Sequence, residues 1–207
     1  MKKFFSFILC FCVLISVCAE AFAAPTQPAI KKRAFSLILS DIDTWKTVHS
    51  KNDEWYVITE LQYGMQDDYD SYYKILKKNI SNLYANGLKN EKTTDIQRMC
   101  LCYILMGADP TKLSNGQNLL ADCTYNREKV TPLDSQGLNS LDWALLVLDS
   151  KNYSIPKNSC DTRESIKSKI LSRQLPDGGF AMFGNVSDPD MTAITLTALS
   201  PYKKEKG

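Results

Sequence analysis

The chain has little of the chemistry from which most enzyme sites and nucleic-acid-binding surfaces are built. A single histidine, His49, stands among 207 residues, and we expect it to be an exposed surface residue rather than a ligand. No two cysteines have the Cys-x-x-Cys spacing of a zinc site, and no glycine-rich phosphate loop or nucleophile elbow occurs. The formal net charge of +2 gives no reason to expect nucleic acid. We therefore expect no metal, no other cofactor and no nucleic-acid partner.

The first 23 residues have the pattern of a secretory signal peptide. Lys2 and Lys3 form a basic start, residues 4–18 form an apolar run, and residues 21–23 (Ala-Phe-Ala) form a cleavage signal. The run is shorter than the ~20 residues that a membrane span needs, so we expect no stable membrane span in the mature chain. The sequence predicts a protein that is secreted, extracellular or held at the cell surface.

Length and composition after this signal peptide suit one domain. We expect a linker over 24–30, a helical repeat domain over 31–202 and a charged tail over 203–207. Apolar residues recur at helical spacing, and we expect helices near residues 30–49, 53–64, 68–86, 92–107, 115–123, 137–150, 161–174 and 189–199. No segment shows the clean alternation of a half-buried strand, so the predicted fold class is all-α.

A loose internal repeat divides these helices into pairs. Gly64 and Gly107 each close an apolar helix and lie 43 residues apart. Apolar helices alternate with more charged ones, such as those at 72–84 and 163–173. Because a helix that is apolar on all sides must be buried on all sides, we expect an inner layer of apolar helices wrapped by the charged ones. A two-helix repeat of this length predicts an α/α toroid-like array of helical hairpins.

Four cysteines remain after the signal peptide, an even number that permits disulfides in an exported chain. Cys100 and Cys102 lie two residues apart on an expected helix, so they point to different faces. Cys102 is expected to be a buried small apolar residue. The bridge that we expect joins the loop cysteines Cys123 and Cys160.

Two motifs stand between the last two expected helices. Residues 174–180 read Gln-Leu-Pro-Asp-Gly-Gly-Phe, and residues 188–193 read Asp-Pro-Asp-Met-Thr-Ala. The first resembles the QW-type repeat of squalene and hopene cyclases and of prenyltransferase β-subunits. The second is similar to the aspartate motif of class II terpene cyclases. The resemblance implies a ring of helical hairpins, and because the expected helices are too few to close one, we expect an open or partial ring.

The resemblance implies structural roles for the first motif, which includes Asp177. Gln174 and Phe180 would tie the end of one helix to the next, the former through its amide. The residues themselves indicate that Gly178 and Gly179 permit backbone angles closed to other residues, so that the chain turns sharply. Phe180 would then cover the turn.

The aspartates of the second motif have two interpretations. By resemblance, Asp190 falls on the general acid of a class II cyclase with Asp188 in support, although Met191 replaces the third acidic residue. By local physics, Asp188 is a helix N-cap, Pro189 is favoured at the first helical position, and Asp190 complements the helix dipole. The sequence leaves both interpretations open.

The expected function is that of a secreted, non-catalytic protein which binds a ligand on the concave inner face of its array. The sequence does not identify this ligand, which is either a small molecule or a protein. The alternative is a class II terpene-cyclase-like enzyme that uses an aspartate general acid. A third interpretation is a fragment without an independent function.

Overall fold

The computed structural model of the chain describes residues 54–203, except for the side chain of Tyr63, together with Arg33 and Ser36. The predicted signal peptide, the linker, His49, most of the first expected helix and residues 204–207 lie outside the described residues. The chain divides into two compact units, residues 1–48 and 49–207. In the first unit, Arg33 and Ser36 are helical and exposed. All of the architecture below belongs to the second unit.

The described part of this unit consists of α-helices joined by loops and short 3₁₀ turns, without a β-strand. The helices are α1 (Glu54–Tyr63), α2 (Tyr69–Asn86), α3 (Thr93–Leu105), α4 (Leu119–Cys123), α5 (Leu138–Asp149), α6 (Arg163–Leu171) and α7 (Pro189–Leu199). The 3₁₀ turns cover Leu88–Asn90, Arg127–Lys129 and Ser200–Tyr202. The predicted all-α class is therefore confirmed.

One helix begins later than the sequence predicted. Helix α4 was expected from residue 115, but a hydrogen-bonded turn occupies this position. The N–H of Leu113 donates to the carbonyl of Gln117 at 2.9 Å. Asn118 then caps the helix by accepting from the N–H of Ala121. Polar residues in this stretch make a turn because their side chains compete with the helical backbone for hydrogen bonds.

Two sets of helices alternate along the chain. Helices α1, α3, α5 and α7 pack side by side in chain order, each against the next, and we call them the inner row. The others pack onto this row, with α2 and α4 against α3, and α4 and α6 against α5. The apolar helices predicted to lie inside are those of the row. Its curvature into part of a toroid stays a prediction.

Burial follows the same alternation. Helix α5 is buried on nearly all sides, whereas α6 buries only Ile166 and Ile170. Complete burial of one leucine-sized side chain stabilises the folded state by about 1.5–3 kcal/mol, so α5 contributes a large share of the core. The charged residues of α6 are exposed or half-buried, in keeping with the outer position that the sequence predicted.

Three helices of the inner row end in the same way. A residue in the left-handed region follows each helix: Gly64 with φ +65°, Gly107 with φ +81° and Asn152 with φ +49°. The closing hydrogen bonds run from Met65 N–H to Glu60 O at 3.0 Å, from Ala108 N–H to Tyr103 O at 3.1 Å and from Tyr153 N–H to Leu148 O at 2.8 Å. This is the Schellman motif. Its recurrence supports the predicted repeat. The third occurrence has an asparagine where the first two have glycine.

Substitutions at these helix ends should change stability by different amounts at the glycine after α3 and at the asparagine after α5. We expect Gly107→Ala to lower the free energy of unfolding by about 1–2 kcal/mol, because a β-carbon is strained in the left-handed region. We expect Asn152→Gly to change it by less than about 0.5 kcal/mol, since the relieved strain offsets the added freedom of the unfolded chain. Urea unfolding of both variants measures the difference, and equal losses would contradict it.

Candidate functional site

The loop between α6 and α7 is held by a carboxylate. Asp177 accepts a hydrogen bond from the N–H of Gly179 at 3.0 Å. The hydroxyl of Ser187 donates to both oxygens of the same carboxylate, at 2.6 and 2.7 Å. The Ser187 hydroxyl, followed by the Gly179 N–H, lowers the pKa of Asp177. An exposed, charged side chain thus joins residues 177 and 187 across the loop.

The two glycines of the loop are required for different reasons. Gly178 has φ +85°, which confirms the backbone angle expected there. Gly179 does not have a positive φ, so this part of the expectation was wrong. A β-carbon at Gly179 would instead lie 2.7 Å from the β-carbon of Ser187. Close approach of the two arms of the loop therefore excludes a larger residue.

Gln174 and Phe180, the first and last residues of the first motif, both make structural contacts. The amide of Gln174 donates to the carbonyl of Gly178 at 2.9 Å, so it closes the turn itself rather than reaching the next helix. Phe180 is buried, as expected for a residue that covers the turn. Its N–H donates to the hydroxyl of Thr192 on α7 at 3.0 Å, and this hydroxyl donates to the Phe180 carbonyl at 3.2 Å. The two sequence motifs are therefore in direct contact.

The capping interpretation of the aspartates is confirmed. The carboxylate of Asp188 accepts from the N–H groups of Asp190 at 2.8 Å and Met191 at 3.1 Å, and Pro189 occupies the first helical position. Asp190 lies exposed in the first turn of α7. A strong proton donor needs a buried carboxyl group, and this helix end does not supply such an environment. Catalysis by Asp190 with Asp188 in support stays a prediction.

A shallow groove of about 480 Å³ runs between this loop and α7, and we call it the row-end groove. Its walls combine the glycine turn with one side of the helix. The lining residues are Asp177, Gly178, Gly179, Ser187, Pro189, Thr192, Ala193 and Leu196. Three residues of each predicted motif thus line one surface.

Exposed apolar side chains concentrate in one stretch of the chain, which covers the end of α6, the loop after it and α7. Seven large apolar side chains are exposed in the described part of the chain, and five of these lie between residues 171 and 196. Phe183 is 81% exposed, Val186 is 82% exposed, and Leu196, in the groove itself, is 58% exposed. Val186 directly precedes Ser187, which lines the groove. Clustered exposure of this kind marks interaction surfaces more often than single exposed residues do.

A buried carboxyl group was missed by the sequence analysis. Asp142 on α5 is fully buried and accepts a hydrogen bond from the hydroxyl of Thr195 on α7 at 2.7 Å. Burial raises the pKa of Asp142 to about 7, against smaller lowering effects of Thr195 and of the charge on Arg173. The sequence did contain a signal for this buried carboxyl group, an aspartate inside a helix that is otherwise apolar on all sides. Asp142 lies in the contact between α5 and α7 and is closed to water.

The expected bridge between Cys123 and Cys160 is not present in the structure. All four described cysteines are thiols; Cys123 is fully buried and Cys160 is exposed. The N–H of Cys160 donates to the side chain of Asn126 at 3.4 Å, so the two segments are neighbours although their sulfurs have different surroundings. Cys102 is buried, as expected.

Residues 54–203 contain no group of three or more histidine, cysteine, aspartate or glutamate residues arranged to hold a metal ion. None of the described helices has the length and apolar character that crossing a membrane requires. Comparison of the chain with models of known families, with curated proteins and with solved structures finds no match. Membership in the cyclase-like family stays a prediction from the motifs.

The cap on α7 gives a direct test of the role of Asp188. We expect Asp188→Ala to lower the free energy of unfolding by about 1 kcal/mol, because two N–H groups lose their acceptor. We expect Asp190→Asn to cost less than about 0.5 kcal/mol, since only a favourable charge near the helix N-terminus is lost. Denaturant unfolding at pH 7 measures both. Equal stability of wild type and Asp188→Ala would contradict the capping role.

Asp142 should make stability depend on pH. The unfolded chain releases this proton near pH 4, whereas the folded protein keeps it until about pH 7. The folded state binds more protons between these values, so the contribution of Asp142 to stability falls as pH rises from 4 to 7, by up to about 4 kcal/mol. We expect Asp142→Asn to remove this decline. Urea unfolding at pH 5 and pH 8 tests it, and parallel pH profiles for both proteins would contradict it.

Proposed function

We propose that this chain is a non-catalytic binding protein that takes up an amphipathic α-helix of a protein partner in the row-end groove. The observation that carries the proposal is the cluster of exposed apolar side chains on α7 and on the loop before it. The proposal keeps the binding function expected from the sequence and moves its site from the inner face to the end of the inner row.

The packing of the row explains why a helix fits there. Helices α3 and α5 each have a row neighbour on both sides, whereas α7 packs against α5 alone within the row. Helix α7 buries Met191, Thr195 and Ala198, and it leaves Ala193 and Leu196 exposed. Terminal helices of repeat arrays usually present a polar outer face to water. An apolar outer face instead offers the position that a further row helix would occupy.

The charge at one end of the groove indicates the chemistry of the partner. Asp177 lies in the groove wall, and Asp188 and Asp190 lie at the helix end beside it. A bound helix that carries lysine or arginine at this end would meet three carboxylates. Complementary charge of this kind favours encounter and orientation more than it adds affinity. The partner helix therefore has an apolar stripe and one basic end.

Export of the protein and the terpene-cyclase alternative, both expected from the sequence, have unequal support. Export of the protein rests on the predicted signal peptide. The terpene-cyclase alternative has less support than binding, because Asp190 is exposed and the buried Asp142 is enclosed between two helices. A helix-in-groove contact needs only apolar anchors at helical spacing, which the row-end groove provides.

Binding should be measurable with a synthetic amphipathic peptide that carries a leucine stripe and a lysine-rich end. Fluorescence anisotropy of the labelled peptide should show saturable binding, and Leu196→Glu should weaken it at least tenfold, because a charge then lies among the apolar anchors. Val130→Glu is the matched control: Val130 is also exposed but lies outside the groove, and we expect less than a twofold change.

The charge of the peptide provides the second comparison. Replacing its lysines with glutamates should weaken binding, and this effect should shrink at high salt since exposed charges are screened. Thermal unfolding of each variant confirms that it is folded. An absence of saturable binding, or equal losses in Leu196→Glu and Val130→Glu, would overturn the proposal.

A further inference from the structure

Two buried thiols occupy the contact between α3 and α4. Cys100 lies on α3, Cys123 is the last residue of α4, and both side chains are 0% exposed. The amide of Gln97, one turn before Cys100, donates to the carbonyl of Cys123 at 3.0 Å. This hydrogen bond holds the end of α4 against the face of α3 from which Cys100 projects.

The two thiols share a closed environment. The Cys123 thiol donates to the carbonyl of Leu120 at 3.6 Å, and the bond from Gln97 holds Cys123 beside the turn of α3 that carries Cys100. Burial raises the pKa of Cys100 well above its usual value, and the neighbouring Cys123 raises it further. The hydroxyl of Tyr84 donates to Asp122 at 2.8 Å. Tyr84 lies close enough to both sulfurs for a charge on either one to raise its pKa. The packing of α4 on α3 therefore places both thiols in the same part of the core.

We propose that Cys100 and Cys123 form a disulfide bond when the chain folds under oxidising conditions, and that this bond joins α3 to α4. The geometry distinguishes this pair from the expected one. Cys160 is exposed and is held through its backbone N–H, whereas Cys123 points into the core. A disulfide requires α-carbons closer than about 7 Å, which packed neighbouring helices can supply. The inference stands apart from the proposed binding function.

The oxidant is a low-molecular-weight disulfide such as oxidised glutathione. The thiolate of one cysteine attacks it, forms a mixed disulfide and releases one glutathione thiolate. The thiolate of the second cysteine then attacks the protein sulfur of the mixed disulfide and releases the second glutathione. The two protons lost by the cysteines end on the two glutathione thiols. One oxidised glutathione is thereby reduced for each protein disulfide formed.

Burial determines when this reaction takes place. Exchange requires a thiolate, and the folded site is closed to a reagent as large as glutathione and has little thiolate. The bond therefore forms while the chain is folding or when the short helix α4 opens. In the folded, reduced protein, Cys160 should react with a thiol reagent much faster than the three buried cysteines.

Peptide mapping of the wild-type chain provides the test. The full chain is unfolded, refolded with reduced and oxidised glutathione, then alkylated in denaturant, so that buried thiols also react, and digested without reduction. Mass spectrometry assigns each of the seven cysteines separately. We expect a Cys100–Cys123 link, with Cys102 and Cys160 alkylated. We also expect the melting temperature to be higher than that of the same chain refolded with a reductant, because the cross-link restricts the unfolded state.

Single variants separate this link from its alternatives. Cys160→Ser should leave both the link and the rise in melting temperature unchanged, whereas Cys123→Ser should abolish both. The wild-type comparison between oxidised and reduced protein does not depend on whether Cys123→Ser folds. A link from Cys123 to Cys160, or the alkylation of both Cys100 and Cys123 after oxidative refolding, would overturn the proposal.

Discussion

The buried amide of Gln97 is the interaction on which the order of the helices depends. From α3 it donates one hydrogen bond to the carbonyl of Cys123 at the end of α4 and another to the carbonyl of Ser140 in α5, at 3.0 and 2.9 Å. Loss of a partner inside the core costs about 1–3 kcal/mol, so these bonds specify how the three helices meet. Gln97 thus performs the helix-tying role that the sequence motif assigned to Gln174. The row then continues through the Thr195–Asp142 hydrogen bond to α7.

Much of this architecture was predictable because its signals are local. Helix α7 was expected over residues 189–199 and has these bounds, since Asp188 and Pro189 determine its start through contacts within one turn. Gly107 ends α3 for an equally local reason, a backbone angle that few other residues adopt. The start of α4 was misplaced because the turn before it depends on competing side-chain hydrogen bonds, which apolar spacing does not reveal.

The candidate site was less predictable because its parts are distant in sequence. The contact of Asp142 with Thr195 joins residues 53 positions apart, and the proximity of Cys100 to Cys123 depends on how α4 packs. The motifs identified the loop between α6 and α7 correctly as a structural turn. They gave no indication that Ser187 would close it or that Phe183 and Val186 would remain exposed. Such features follow from tertiary packing alone.

The order of contacts in the inner row has an evolutionary consequence. Successive row helices touch one another, α1 with α3, α3 with α5 and α5 with α7, and Gly64, Gly107 and Asn152 close the first three in the same way. Duplication or deletion of one whole hairpin would leave every remaining junction of the same kind, because stability in such arrays is approximately a sum over nearest neighbours. The number of hairpins can therefore change among descendants of such a gene, while the geometry of each junction is kept.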